Sequence, residues 1–209
     1  VINNTISECD QDNVDLLVCQ FSSIPDRTSF ILGNSDNSPV PEMIKCARLL
    51  EREGCKYIVI PCNTASYFFD EVQSRVNSKI INILEETSKF VLKDNPKKVG
   101  LMATDGTIKS GAYHKFIGND LLFVPDDVYQ AKVMNIIYNK VKKNKEVSLA
   151  EFEEILDYFR ENGCEKIILG CTELSVIYSY LKVNYSDVVD SLTVLARKAV
   201  ELSGKSLKE

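Results

Sequence analysis

Two phrases of this chain match: GCKYIVIPC at residues 54–62 and GCEKIILGC at residues 163–171. Each opens Gly-Cys, runs through branched apolar residues, and closes on a second thiol, Cys62 in one and Cys171 in the other. Small polar residues follow both: Asn63 and Thr64, then Thr172 and Glu173. A thiolate takes a proton and a thiol gives one. A pair set on opposite faces of one carbon therefore suits inversion of a stereocentre that bears a weakly acidic hydrogen. The roles swap in the reverse direction, which explains two residues of one type. The neighbouring polar residues would donate hydrogen bonds to a carboxylate whose charge grows as the carbanion forms. A lone cysteine after a strand is most often a small buried hydrophobe, and Cys9, Cys19, Cys46, Cys55 and Cys164 are read that way. Recurrence of the whole phrase, with its polar sequel, sets Cys62 and Cys171 apart.

The elements around the phrases say where those thiols would sit. Residues 57–60 and 167–169 are apolar runs of strand length, preceded by helix-periodic stretches that end at Gly54 and Gly163. Further strands are expected at 15–19, 79–83, 99–104 and 121–124. Helices are expected from residue 38 to Gly54, after Cys62, at 85–92, at 128–142, after the capping box Ser148–Glu151, and at 192–202. Continuous apolar strands alternating with helices indicate parallel sheets covered on both faces. The fold class expected is α/β, with two similar domains, each a parallel sheet flanked by helices, and a cleft between them. The polar stretch 94–98 divides residues 1–96 plus 188–209, the first domain, from 97–187, the second. Ligands in such sheets sit beyond the carboxyl ends of the strands, where Cys62 and Cys171 fall. Helix N-termini there are expected to lower the thiol pKa and to hold anions.

Composition narrows the partners. The 209 residues are 44% hydrophobic and 26% charged, with a net charge of −5, and no basic stripe points to nucleic acid. No apolar run approaches the roughly 20 residues of a membrane helix. Seven cysteines and a single histidine, His114, fit free thiols in a reducing cytoplasm and argue against a zinc site, since no Cys-x-x-Cys pair exists to start one.

The motifs IPCNTA (60–65), LGCTEL (169–174) and IPDRT (24–28), with ATDGT (103–107) and the Asp190-Ser191 pair, resemble the aspartate/glutamate racemase family, and its aspartate racemase branch most closely. The resemblance implies a cofactor-independent enzyme, usually dimeric, acting on aspartate or glutamate between two domains. It implies that Cys62 and Cys171 are the catalytic acid/base pair and that Asn63, Thr64 and Ala65 form the substrate-carboxylate loop. Arg27 would grip the substrate's side-chain carboxylate bidentately. A functional lysine is expected after the long helix of the second domain: Lys142, with Lys140 and Lys143 as neighbouring registers, the alternative for that run being a solvated helix face. Three departures stand out. The family's opening strand and Gly-Gly-Met-Gly loop are not seen, and the first residues read like the tail of a helix. Ser66 stands where the family commonly has histidine, and Gln20-Phe-Ser-Ser precedes IPDRT.

Other readings remain open. Hydantoin racemases, maleate isomerases and aryl malonate decarboxylases use cysteines at the same places. A catalytically silent dicarboxylate-binding protein needs no thiol pair. A Cys62–Cys171 disulfide would require Cα atoms within about 7 Å.

Overall fold

A computed structural model of the chain describes residues 1–208. Residue 209, the last of the segment expected to complete the first domain, lies outside the described residues.

The chain alternates strands and helices and builds two parallel sheets. The smaller pairs β1 (Tyr57–Val59) with β2 (Lys79–Ile81), Tyr57 opposite Lys79. The larger has the order β4-β3-β5-β6, with β3 Val99–Ala103, β4 Leu122–Phe123, β5 Lys166–Gly170 and β6 Val188–Asp190. Every residue of β3 is buried, as a central parallel strand covered on both faces must be. The helices in chain order are α1 Arg27–Ile31, α2 Val40–Arg52, α3 Phe69–Gln73, α4 Ile83–Leu92, α5 Asp105–Lys109, α6 His114–Ile117, α7 Asp127–Met134, α8 Leu149–Glu161, α9 Thr172–Tyr180 and α10 Ser191–Leu202. This is the α/β architecture expected.

The repeated Gly-Cys opening has a structural cause. Gly54 and Gly163 take φ of +85° and +79°, ending α2 and α8. Cys55 N–H then donates to Leu50 O at 3.1 Å, and Cys164 N–H to Phe159 O at 3.0 Å. Both ends are thus the same left-handed glycine cap, which satisfies the last helical carbonyls and turns the chain into the next strand. Cys55 and Cys164 follow those caps, at the opposite end of their strands from Cys62 and Cys171.

Three apolar clusters hold the layers together. One face of the larger sheet packs α4, α6 and α10, through Leu84, Val91, Ile117, Val194 and Leu195. Its other face packs α7, α8 and α9, through Val133, Phe152, Phe159 and Leu174. A third cluster joins α2, β1 and the turn after Cys62, through Met43, Ile58 and Phe68. The glycines of the larger sheet are packing residues: a Cβ at Gly100 would lie 2.5 Å from Phe159. Helix α10 packs on α4, which follows β2.

Several sequence expectations need correction. Residues 15–19 are not a buried strand. No strand among the described residues pairs with them, and Leu16, Leu17 and Val18 are exposed at 48%, 51% and 82%. An apolar run makes a strand only where its backbone finds a ladder partner. The first residues are not the tail of an α-helix: Ile2–Asn4 is a 3-10 turn, and Thr5 bridges antiparallel to Leu207. Strand β6 and helices α5 and α6 were not expected. The stretch expected as one helix over 128–142 is α7 continued by a π-helical segment, Asn135–Lys140, and a 3-10 turn, Val141–Lys143. No helix among the described residues is long and apolar enough to cross a membrane.

Candidate active site

Both matching phrases deliver their final cysteine to one cleft. The cleft has a volume of about 70 Å³. At about 10–15 Å³ per water it takes a few solvent molecules or one small polar ligand. The walls come from the segment opening α1 (Asp26, Arg27, Thr28), the turn after β1 (Pro61 to Thr64), the end of β3 (Thr104), the irregular helix (Tyr138, Lys142) and the start of α9 (Cys171 to Glu173). The cleft therefore lies beyond the carboxyl ends of β1, β3 and β5, where the alternation of strand and helix leaves a crevice. Both thiols are free.

The two sulfurs have opposite electrostatic neighbours. Arg27 Nη2 donates to Cys62 Sγ over 3.9 Å. Burial alone would lower Arg27, but Cys62 and Asp26 outweigh it and hold the guanidinium above its usual range. Cys171 Sγ instead donates to Glu173 Oε2 at 2.8 Å. Burial first, then the Glu173 carboxylate, pushes the Cys171 thiol well above its ordinary value. The expectation that a helix N-terminus would lower this thiol is thus corrected. Cys171 is the N-cap of α9, but it is only 8% exposed and lies against an anion, and these effects win over the helix dipole.

Lys142 is the lysine of its cluster that reaches the cleft. Its Nζ is 3.7 Å from Asp26 Oδ2, 4.0 Å from Glu173 Oε1, and 3.7 Å from the centre of the Tyr138 ring. Burial alone would lower it, but Tyr138, Glu173 and Asp26 together raise its pKa. Lys140 pairs with Glu151 and Lys143 with Asn139, both away from the cleft. The π-helical segment explains the reach: its wide turn and the 3-10 turn after it, ended by Asn144 at φ +54°, set Lys142 over Tyr138.

The polar residues after Cys62 are mostly engaged internally. Asn63 is buried, its Oδ1 accepting from the Tyr113 hydroxyl at 2.7 Å and its Nδ2 donating to Ser191 Oγ at 2.9 Å. Ser191 donates onward to Leu169 O at 2.7 Å, so Ser191 braces the first cysteine turn against β5. Thr64, Thr104 and Thr107 share a buried hydroxyl cluster with separations of 2.8 to 3.1 Å, which Thr28 joins at 3.3 Å. Gly106 lies beside it, where a Cβ would fall 2.9 Å from Thr28 Cα. Ala65 does not line the cleft; it is 3% exposed and belongs to the apolar cluster of Phe68 and Val72. Thr172 and Glu173 were expected to donate to a bound carboxylate. The Thr172 hydroxyl donates to Glu173 Oε2 at 3.2 Å, and an ionised carboxylate only accepts. Ser66 lies outside the lining. The opening N–H groups of the turn Thr64–Phe68 and of α9 lack intrahelical acceptors.

Asp26 and Tyr138 are cleft residues that sequence reasoning did not single out. Asp26 caps α1 by accepting from Ser29 N–H at 2.8 Å and also receives the Tyr138 hydroxyl at 3.4 Å. The signals were an aspartate directly before Arg27 and a tyrosine four residues before Lys142. Among the described residues, no group of three His, Cys, Asp or Glu side chains could hold a metal ion.

A family model for Asp/Glu/Hydantoin racemase matches residues 1–199. The chain belongs to that family. Within the racemase family, the structure of the Picrophilus torridus aspartate racemase superposes with a TM-score of 0.85 at 29% identity, covering 99% of this chain and 87% of that one. The broad specificity amino-acid racemase RacX of Bacillus subtilis is 28% identical over 157 residues, 72% of this chain and 66% of that protein. The glutamate racemase of Aquifex pyrophilus is 30% identical over 169 residues, 73% of this chain and 61% of that protein. The chain thus spans slightly under two thirds of the length of these two curated racemases.

Proposed function

We propose that the protein is a cofactor-independent amino-acid racemase that interconverts L- and D-aspartate, with Cys62 and Cys171 as its two acid/base groups. The observation that carries this reading is the single cleft holding both strand-end thiols together with two cations, Arg27 and Lys142. One thiol takes the α-proton as its thiolate, and the other gives a proton to the opposite face. The carbanion between them is stabilised through its carboxylate, which the opening N–H groups of the two helices would receive. Arg27 and Lys142 match a second carboxylate, and Asp26 matches the substrate ammonium. The similarity to an aspartate racemase supports aspartate as the substrate. We take residues 1–96 plus 188–209 and 97–187 as the two racemase domains. The free thiols fit a reducing cytoplasm, and exposed Leu16, Leu17 and Val18 fit a surface covered in a homodimer.

The test is incubation with L-aspartate in D₂O, following the α-proton by NMR together with optical rotation. Exchange with loss of rotation is the expected result. Cys62→Ser and Cys171→Ser should each cut racemisation by about 10²–10⁴-fold, the usual worth of a positioned acid or base. Retention of full rate in either variant removes that residue from the mechanism. Neither exchange nor rotation change, with aspartate still bound, would leave a dicarboxylate-binding protein.

A further inference from the structure

The two thiols differ in how each could exchange its proton. Cys171 is 8% exposed, so bulk water has little access to its sulfur. Its hydrogen bond runs to Glu173 Oε2 at 2.8 Å, while Glu173 Oε1 faces the Lys142 ammonium at 4.0 Å. The charged and titratable groups facing this thiol are Glu173 on its own helix and Cys62 from the turn after β1. Lys142 lies behind Glu173, and Asp26 and Arg27 complete the cleft wall. Glu173 is therefore the base in hydrogen-bond contact with a thiol that must alternate between two protonation states in a racemase.

We propose that Glu173 receives and returns the proton of Cys171, so that the pair holds one proton in common and switches between thiol–carboxylate and thiolate–carboxylic acid forms. In the switch the S–H bond breaks, its electron pair stays on sulfur, and an O–H bond forms on Oε2. The internal switch leaves the charge of the pair at −1; giving its proton to the carbanion takes the pair to −2, and taking a proton from the substrate takes it to zero. The thiol form delivers a proton to the carbanion, and the thiolate form removes one from the enantiomer presented on that side. Lys142 faces Oε1, and Oε2 accepts from both the Cys171 thiol and the Thr172 hydroxyl. The inference deepens the racemase reading and rests on it for the catalytic step, whereas the shared proton itself is a property of the free protein.

Two measurements separate these. Iodoacetamide reacts with thiolate, so labelling of the Cys171 peptide across pH, located by mass spectrometry, reports its ionisation without substrate. Removing the anion in Glu173→Gln, whose amide oxygen still accepts a hydrogen bond but takes no proton, should lower the labelling midpoint by at least one unit, about tenfold faster labelling at pH 8. Glu173→Asp should keep the midpoint high. In racemisation, Glu173→Gln should lower kcat by about 10²-fold and leave KM within about threefold. A midpoint that does not move overturns the proposal, as does a raised KM with kcat retained, which would mark Glu173 as a substrate-binding residue. Should the unaltered chain fail to racemise aspartate, the functional reading falls, and labelling alone decides whether the pair shares its proton.

Discussion

At the scale of single residues, the cleft pairs like groups and makes them unlike by their neighbours. Cys62 has a guanidinium against its sulfur, and Cys171 has a carboxylate. Arg27 also illustrates why side-chain type matters. A guanidinium's planar fork can hold a carboxylate with two parallel bonds, which an ammonium cannot copy, and the role proposed for Arg27 depends on that difference. Arg27→Lys should raise KM for aspartate about tenfold, the loss of one charge-assisted hydrogen bond. Steady-state kinetics checks this, and an unchanged KM would exclude Arg27 as a substrate ligand. The thiols and Arg27 were legible as cleft residues because motif and position coincide, whereas the lysine was legible only to within the registers Lys140, Lys142 and Lys143. Asp26 and Tyr138 were not: a helix-capping aspartate and a tyrosine in a helical run acquire meaning only when a third element, carrying Lys142, folds against both.

At the scale of elements, each functional group is held by a local device. Asp190 caps α10 by accepting from Leu192 and Thr193 N–H groups and receives Ser175 of α9 at 2.5 Å, locking the helix that begins with Cys171. Asp187, just before β6, accepts from Arg160 of α8 at 2.7 Å. The Arg160 hydrogen bond is the main cause holding the Asp187 carboxyl below its ordinary value. A depressed acid stabilises the fold fully above its unfolded pKa, about 4, and that contribution is lost as pH falls through the lower folded value. Asp187→Asn should therefore lower the unfolding midpoint near pH 7, and the gap from the unaltered chain should narrow steadily below pH 4. Equal midpoints at pH 7 would show the pair to be neutral. Strands β1, β3 and β5 were readable because each is a bounded apolar run. The run at 15–19 looked the same and forms no strand, because the sequence signal reports apolarity and not the presence of a ladder partner. Strand β6 has a ladder partner in β5 but only two apolar residues, Val188 and Val189, and was missed for the opposite reason.

At the scale of the whole molecule, the repeated phrase amounts to two identical helix caps feeding two strands, each ending in a thiol at a shared crevice. Helix α5 abuts the segment opening α1. There Gly106 faces Thr28 Cα at 2.9 Å and Thr64 Cγ2 at 3.1 Å from where a side chain would begin. The chain after β3 thus runs against the walls that carry Arg27 and Cys62, with only hydrogen between. A methyl group there would work as a shim. Gly106→Ala should cost about 1–3 kcal/mol of stability by overpacking and, by easing the jaws apart, lower kcat by up to about 10²-fold, the toll of a misplacement near 1 Å. A thermal melt and a rate assay on the same sample check both, and an undiminished kcat would mean the jaws have slack to spare. With a lowered kcat, the clearance across which a proton is handed over is a dimension machined at a site that never touches the substrate.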